Sequence, residues 1–212
     1  WMEKKEKAGI VLSLLEKTCP AGKTFLEHNG PFELLAATIL SAQCTDVRVN
    51  IATKPLFKKY RSVNDFANAS QSGLEMDIFS TGFYRSKAKN IIACAKMVLE
   101  KHGGKVPKTM AKLVELPGVG RKTANIVLSS GFGIIGGMAV DTHVKRLSFR
   151  IGLSSQKDPQ KVEKDLLLLV PKKKWGKFPL LLIQHGRAVC TARKPNCTAC
   201  VLSNVCDSAF KF

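Results

Sequence analysis

The sequence predicts an all-α protein, on three observations. Apolar residues recur at helical spacing along nearly the whole chain, the period-two alternation of strands is scarce, and prolines and capping residues break the apolar runs into helix-sized pieces. Ile10, Leu12, Leu14 and Leu15 form one face of a first helix, and Phe32, Leu35, Ile39 and Leu40 one face of a second. Pro55, Pro107, Pro117, Pro159, Pro171 and Pro179 punctuate the runs that follow. Asp158-Pro159 is a start signal, a capping side chain followed by proline in the first turn, and the helix it opens is expected to end near Pro171. Two stretches read as loops: 131–137, with four glycines in seven residues, and 171–177, with four lysines in seven. The glycine-rich one is the expected domain boundary. A chain of 212 residues suits one domain or two small ones, and no solenoid repeat or low-complexity tract is visible.

Charge sets the class of partner. Lys plus Arg number 34 against 16 Asp plus Glu, a formal +18, so an acidic polymer is expected, and nucleic acid fits best. The basic residues are spread along the chain rather than gathered on one amphipathic helix, which argues against a membrane surface. The longest apolar runs, 166–170 and 180–183, fall far short of the ~18 residues of a membrane span. Lys4, Lys5 and Lys7 ahead of the apolar stretch 10–15 imitate a signal peptide, but Glu16 and Lys17 interrupt it and no small-residue cleavage site follows. The expected location is the cytoplasm, in association with the nucleoid, or the nucleus of a eukaryote. Trp1 precedes Met2, the expected initiator, and plays no part in the argument.

The segment 116–124, LPGVGRKTA, joins two helical runs through a turn that needs glycine. Gly118 and Gly120 let another molecule approach the backbone, and the unpaired N–H groups of the helix start that follows make a seat for phosphate. Leu116, Val119 and Arg121 complete the candidate contact surface. Lys122 stands in the first turn, where the positive end of the helix dipole and Arg121 favour the neutral, nucleophilic amine. Downstream, Asp141 precedes a helical run in VDTHVKR and reads first as an N-cap. A carboxylate so fixed can also take a proton, orient a water, or stabilise positive charge developing on a sugar ring.

Cys190, Cys197, Cys200 and Cys206 form C-x6-C-x2-C-x5-C within the last 23 residues. In a reducing compartment this crowding predicts a metal site rather than disulfides, and spacing alone leaves zinc and a 4Fe-4S cluster open. Arg193 and Lys194 lie between the first two cysteines, with Arg187 just ahead, so the site would present a basic finger to DNA. Cys19, Cys44 and Cys94 are expected as buried small apolar residues.

Taken together, LPGVGRKTA, VDTHV and the four-cysteine pattern resemble the endonuclease III family of helix-hairpin-helix DNA glycosylases. The resemblance extends over nearly the full length, through LSAQCTD at 40–46, GFYRSKA at 82–88 and HGR at 185–187. It implies a helix-hairpin-helix glycosylase fold: a six-helix domain over 25–135, a discontinuous iron-sulfur domain from 1–24 and 136–212, and an active cleft between the two. It implies Lys122 as nucleophile, Asp141 as catalytic carboxylate, and a 4Fe-4S cluster on Cys190, Cys197, Cys200 and Cys206. Gln43 matches the residue that fills the gap left by a flipped nucleotide. Phe83 falls where the family inserts an apolar wedge, with phenylalanine in place of the usual leucine. The implied activity is removal of oxidised pyrimidines from duplex DNA carrying a damaged base or abasic site, with β-elimination at the sugar, by a monomer that binds no membrane. Several alternatives stay in view. An adenine-removing relative would need a catalytic glutamate, absent from 39–46, and the 8-oxoguanine branch typically lacks the cluster. A mismatch-specific thymine or uracil glycosylase, a non-catalytic DNA-binding module and a ferredoxin-like electron carrier are the others.

Overall fold

The computed structural model describes residues 2–19 and 25–211. Trp1 lies outside them. Among the described residues there is no strand, and every regular element is helical. The chain divides into two compact units, 24–134 and the combination of 1–23 with 135–212, the division falling inside the glycine-rich stretch.

The first helix, α1 (Lys4–Thr18), belongs to the discontinuous unit. Its buried face is Ala8, Val11, Leu12 and Leu15, while Ile10 and Leu14 are only half-buried, so the packed stripe is rotated from the one the apolar letters suggest. The small Ala8 is what permits the shift, because it lets α1 lie close to its neighbours.

The continuous unit contains α2 (Pro31–Leu40), α3 (Asp46–Lys59), α4 (Val63–Ala67), α5 (Gln71–Ile78), α6 (Tyr84–His102), α7 (Met110–Val114) and α8 (Arg121–Ile126). Every residue of α2 from Leu34 to Leu40 is buried, which makes it the axis of this unit. Thr38 is accommodated there because its hydroxyl donates to the Leu34 carbonyl at 2.7 Å. Side-chain caps open several of the helices: Thr45 for α3, Ser62 with Asp65 in a reciprocal capping box for α4, and Ser70 for α5. Pro55 was expected to end a run but sits inside α3; the helix forgoes one hydrogen bond and is held by buried Val49, Ala52 and Leu56. Phe66 anchors the core, stacked on Tyr60 at 5.0 Å and tilted against Phe32 at 5.4 Å. Past α8 the chain continues as a π-helical turn, Val127–Gly131, in which the Ser129 hydroxyl donates to the Asn125 carbonyl at 2.7 Å.

Burial in this core pushes the Cys94 thiol up to about 12. In native protein Cys94 should therefore resist iodoacetamide at neutral pH and label only on unfolding, as peptide mapping after a timed pulse would show.

The discontinuous unit adds α9 (Thr142–Ile151), α10 (Pro159–Leu169) and α11 (Phe178–Ala188) to α1, with α1 packed on α10 and α11 and α9 on α11. Asp158 caps α10 by accepting from the Gln160 and Lys161 amides, each at 3.0 Å, and the helix stops two residues short of Pro171. Lys7 is buried, donates to the Ile151 carbonyl at 3.2 Å and pairs with Asp207. Gly152, at φ +89°, ends α9 beneath that pair, and a Cβ there would strike the Asp207 carboxylate. Glu16 bonds Lys174 at 2.6 Å and Lys177 at 2.9 Å, which holds its carboxyl below the usual glutamate range. No helix is long and apolar enough to cross a membrane, among the described residues.

Candidate functional site

In the continuous unit, α7 and α8 are joined by a turn anchored from below. The Leu116 amide donates to Leu113 and the Val119 amide to Leu116, both at 3.1 Å, and the two side chains are only 2% and 6% exposed. Leu116 and Val119 are therefore core residues, and whatever they present to a ligand is backbone. An apolar residue in a tight turn over a core is drawn inward. Gly118 takes φ +76°, and a Cβ at that position would come within 3.0 Å of Asn90 Cβ on α6. Gly120 has open space where a side chain would be, and α8 begins there without a side-chain cap. Arg121 and Lys122 are exposed on its first turn. Gly118→Ala should lower stability by about 1–3 kcal/mol through left-handed strain and the Asn90 contact, and weaken DNA affinity. Urea unfolding and fluorescence anisotropy would measure the two effects.

Gln43 and Phe83 share an unusual backbone. Only three non-glycine residues have positive φ among those described, and these are two of them, at 52° and 49°. Such residues are strained and concentrate at functional sites. Phe83 is the N-cap of α6 and 64% exposed, so its ring is not part of the core; Gln43 is also exposed. Sequence composition carries no sign of this strain, because neither residue is a turn former.

In the discontinuous unit, Asp141 caps α9: its Oδ1 accepts from the Val144 amide at 2.8 Å. The capping reading thus holds, and among the described residues Oδ2 has no protein donor. One turn on, Arg146 Nη2 donates to the carbonyls of Gly186 at 3.0 Å and Cys190 at 2.9 Å, tying α9 to the end of α11. Burial lowers the Arg146 pKa, while Cys190 and Asp141 oppose that shift. Gly186 makes the approach of these helices possible, since a Cβ would come to 3.1 Å from Arg146, His143 and Leu147 together.

The four cysteines line one cavity, with Arg150, Val189, Pro195, Asn196, Ser203 and Ala209 as the rest of its wall. Arg150 is 8% exposed; its Nη1 donates to Cys190 Sγ at 3.3 Å and to the Thr191 carbonyl at 2.8 Å, and its Nη2 to the Ala192 carbonyl at 2.8 Å. His185, 2% exposed and with its pKa lowered by burial, places Nε2 at 3.3 Å from Cys200 Sγ. Burial also raises the Cys200 and Cys206 thiols. Four thiols around one buried cavity, with a guanidinium among them, form a donor set suited to an anionic sulfur-rich cluster whose iron offsets the cost of thiolate burial. The Thr191 hydroxyl, donating to the Lys194 carbonyl at 2.6 Å, closes the loop that carries exposed Arg193 and Lys194. Arg187 is likewise exposed. Arg146 and Arg150 escaped sequence reading. Their signal was faint: two arginines one turn apart on a helix whose apolar positions are Val144, Leu147 and Ile151.

Residues 36–172 match the HhH-GPD superfamily of base excision DNA repair proteins, and residues 190–206 the iron-sulfur binding domain of endonuclease III. The chain is 49% identical to endonuclease III of Synechocystis, covering 97% of this chain and 94% of that protein. It is 41% identical to endonuclease III of Escherichia coli K12, covering 96% of each. A solved trapped endonuclease III–DNA covalent intermediate superposes with a TM-score of 0.93 at 42% identity, over 100% of this chain and 99% of that one. A thermostable thymine-DNA glycosylase superposes at 0.85 with 25% identity, over 99% and 97%. The iron-sulfur match decides between zinc and iron for the cysteine cavity. With hairpin, cavity and these likenesses in agreement, the chain belongs to the endonuclease III family of the HhH-GPD superfamily, base excision repair DNA glycosylases that carry an iron-sulfur cluster.

Proposed function

We propose that the enzyme releases oxidised pyrimidines from duplex DNA through a Schiff base on Lys122 and then cuts the strand by β-elimination. The observation that carries this reading is the exposed Lys122 on the uncapped first turn of α8, directly behind a hairpin whose backbone is open at Gly120. Hairpin amides grip a phosphate, with Arg121 beside them, and so bring the sugar to the amine. The amine attacks C1′ as the bond from C1′ to the base breaks, and the base leaves with that electron pair and acquires a proton. Asp141 accepts the proton shed by the attacking amine and stabilises the positive charge on the sugar. The sugar ring then opens: the C1′–O4′ bond breaks, O4′ takes the proton held by Asp141, and the nitrogen lone pair forms the iminium. The iminium acidifies C2′–H; loss of that proton expels the 3′ phosphate, and water then frees Lys122.

Gln43 fills the space vacated by the flipped nucleotide, and Phe83 wedges into the stack. Cys190, Cys197, Cys200 and Cys206 would hold the 4Fe-4S cluster, which supplies a structural tie for the basic loop rather than turnover chemistry. Arg187, Arg193 and Lys194 contact phosphates from that side. The units 24–134 and 1–23 with 135–212 serve as the hairpin domain and the iron-sulfur domain. The enzyme works as a monomer where the chromosome lies, in the cytoplasm of a bacterial cell.

A mismatch-specific thymine or uracil glycosylase is the second reading, favoured only by the likeness to a thymine-DNA glycosylase at 25% identity, against 42% for the endonuclease III complex. Purified protein incubated with single-lesion duplexes should release thymine glycol and leave a β-elimination end. Release of thymine from a G·T pair with thymine glycol untouched would support the second reading. Salt-sensitive binding without base release or a nick would reduce the protein to a DNA-binding module.

A further inference from the structure

Lys87 is 3% exposed, yet no step of the chemistry above uses it. It lies one turn into α6, where its amide donates to the Phe83 carbonyl at 3.1 Å. Its side chain runs back beneath the loop that precedes the helix, and Nζ donates to the Thr81 carbonyl at 2.8 Å. Thr81 is itself buried and fixed, its hydroxyl donating to the Ile78 carbonyl at 2.8 Å. Gln43, the other left-handed residue, lies in a turn of its own, which the Cys44 amide closes onto the Ser41 carbonyl at 3.2 Å. The 3₁₀ turn Phe79–Thr81 packs against α3, which begins three residues after Gln43.

Three unfavourable features are thus gathered in one spot. Gln43 and Phe83 each hold a strained left-handed backbone, and an amine is buried with a single protein acceptor among the described residues. Burial lowers the Lys87 pKa, and Cys44 opposes the shift only in part. A methionine would fill the same space without desolvating an amine, so what the amine adds is the tie itself: a donor at Thr81, two residues before Phe83.

We infer that Lys87 is a positioning residue that fixes the turn carrying Phe83, so that this side chain is held ready to enter the duplex. The inference rests on the reading of Gln43 and Phe83 as the inserting residues. It makes duplex penetration, rather than the chemistry at Lys122, the step that depends on Lys87.

The test uses the full protein, saturating and monitored by anisotropy, on a duplex with 2-aminopurine opposite a tetrahydrofuran abasic analogue. Fluorescence rises when the opposite base is unstacked. Lys87→Met should bind but give a rise at least fivefold smaller than wild type, as should Phe83→Ala, whereas borohydride trapping on single-stranded abasic DNA, where nothing must be penetrated, stays at the wild-type rate. A full rise in K87M with a diminished one in F83A overturns the inference alone. A full rise in both F83A and Gln43→Ala overturns the insertion reading and the inference with it. Equal loss of single-strand trapping in K87M overturns it too, as a general structural defect would explain both. Should K87M fail to accumulate as folded protein, Lys87→Gln, which keeps a donor, is read against the same outcomes.

Discussion

Lys122→Ala binds lesion-bearing duplex but releases base at a rate lower by on the order of 10⁴-fold or more, the scale of loss when a covalent nucleophile is removed. Its unfolding midpoint stays at the wild-type value, because the side chain is exposed and the turn is anchored by Leu116 and Val119 instead. Lys122→Arg is the sharper variant. A guanidinium retains positive charge and phosphate contact but does not deprotonate in proteins and offers no nucleophilic lone pair. It should restore affinity lost in the alanine variant without restoring base release. Single-turnover excision of thymine glycol, with affinity read separately by anisotropy, separates these effects. If Lys122→Arg recovered excision, the amine would be acting as a charge rather than as a nucleophile.

Arg150→Met is expected to be purified with less than half the iron of wild type and to lose about 3–5 kcal/mol of stability. The guanidinium makes charge-assisted hydrogen bonds to Cys190 Sγ and to the Thr191 and Ala192 carbonyls, and methionine leaves all three without a donor. Hydrogen bonds from a charged donor contribute about 1.5–3 kcal/mol each, and their shared loss is less than additive. Arg146 at the Cys190 carbonyl is then the remaining guanidinium on the first cysteine. Iron content, visible absorbance and denaturant unfolding would report the change. Arg193→Ser is the comparison: an exposed arginine in the same loop should weaken DNA binding and leave iron content alone.

Features legible in the sequence were those whose causes lie within a few residues. Asp158 and Asp141 cap their helices through amides two or three positions away, so residue type and spacing were enough. The hairpin was readable because positive φ at Gly118 and an open approach at Gly120 both call for glycine. The cysteine pattern placed four thiols around one cavity, yet spacing left zinc and iron equal, and resemblance to a known family was needed to separate them.

Long-range placement was not legible. Arg150 reaches acceptors 41 and 42 residues later, and in sequence it is one more basic residue in a chain of +18. Lys87 hides in the same way among charged letters on α6. The burial of the Leu116 and Val119 side chains beneath the hairpin likewise depends on the core below the turn, which residue type alone does not reveal. Pro55 shows that a helix stop signal yields when buried residues before and after it, Val49, Ala52 and Leu56, hold one face of the helix. The left-handed backbone at Gln43 and Phe83 leaves no mark in residue type, since neither is among the residues that favour it.

If Lys122 forms the covalent bond to DNA, borohydride reduction during turnover will capture it. Wild-type protein incubated with thymine-glycol duplex and borohydride should yield a stable protein–DNA adduct, and mass spectrometry of the digested adduct should place the sugar remnant on the peptide containing Lys122. Absence of an adduct, or a remnant on any other lysine, would contradict the account.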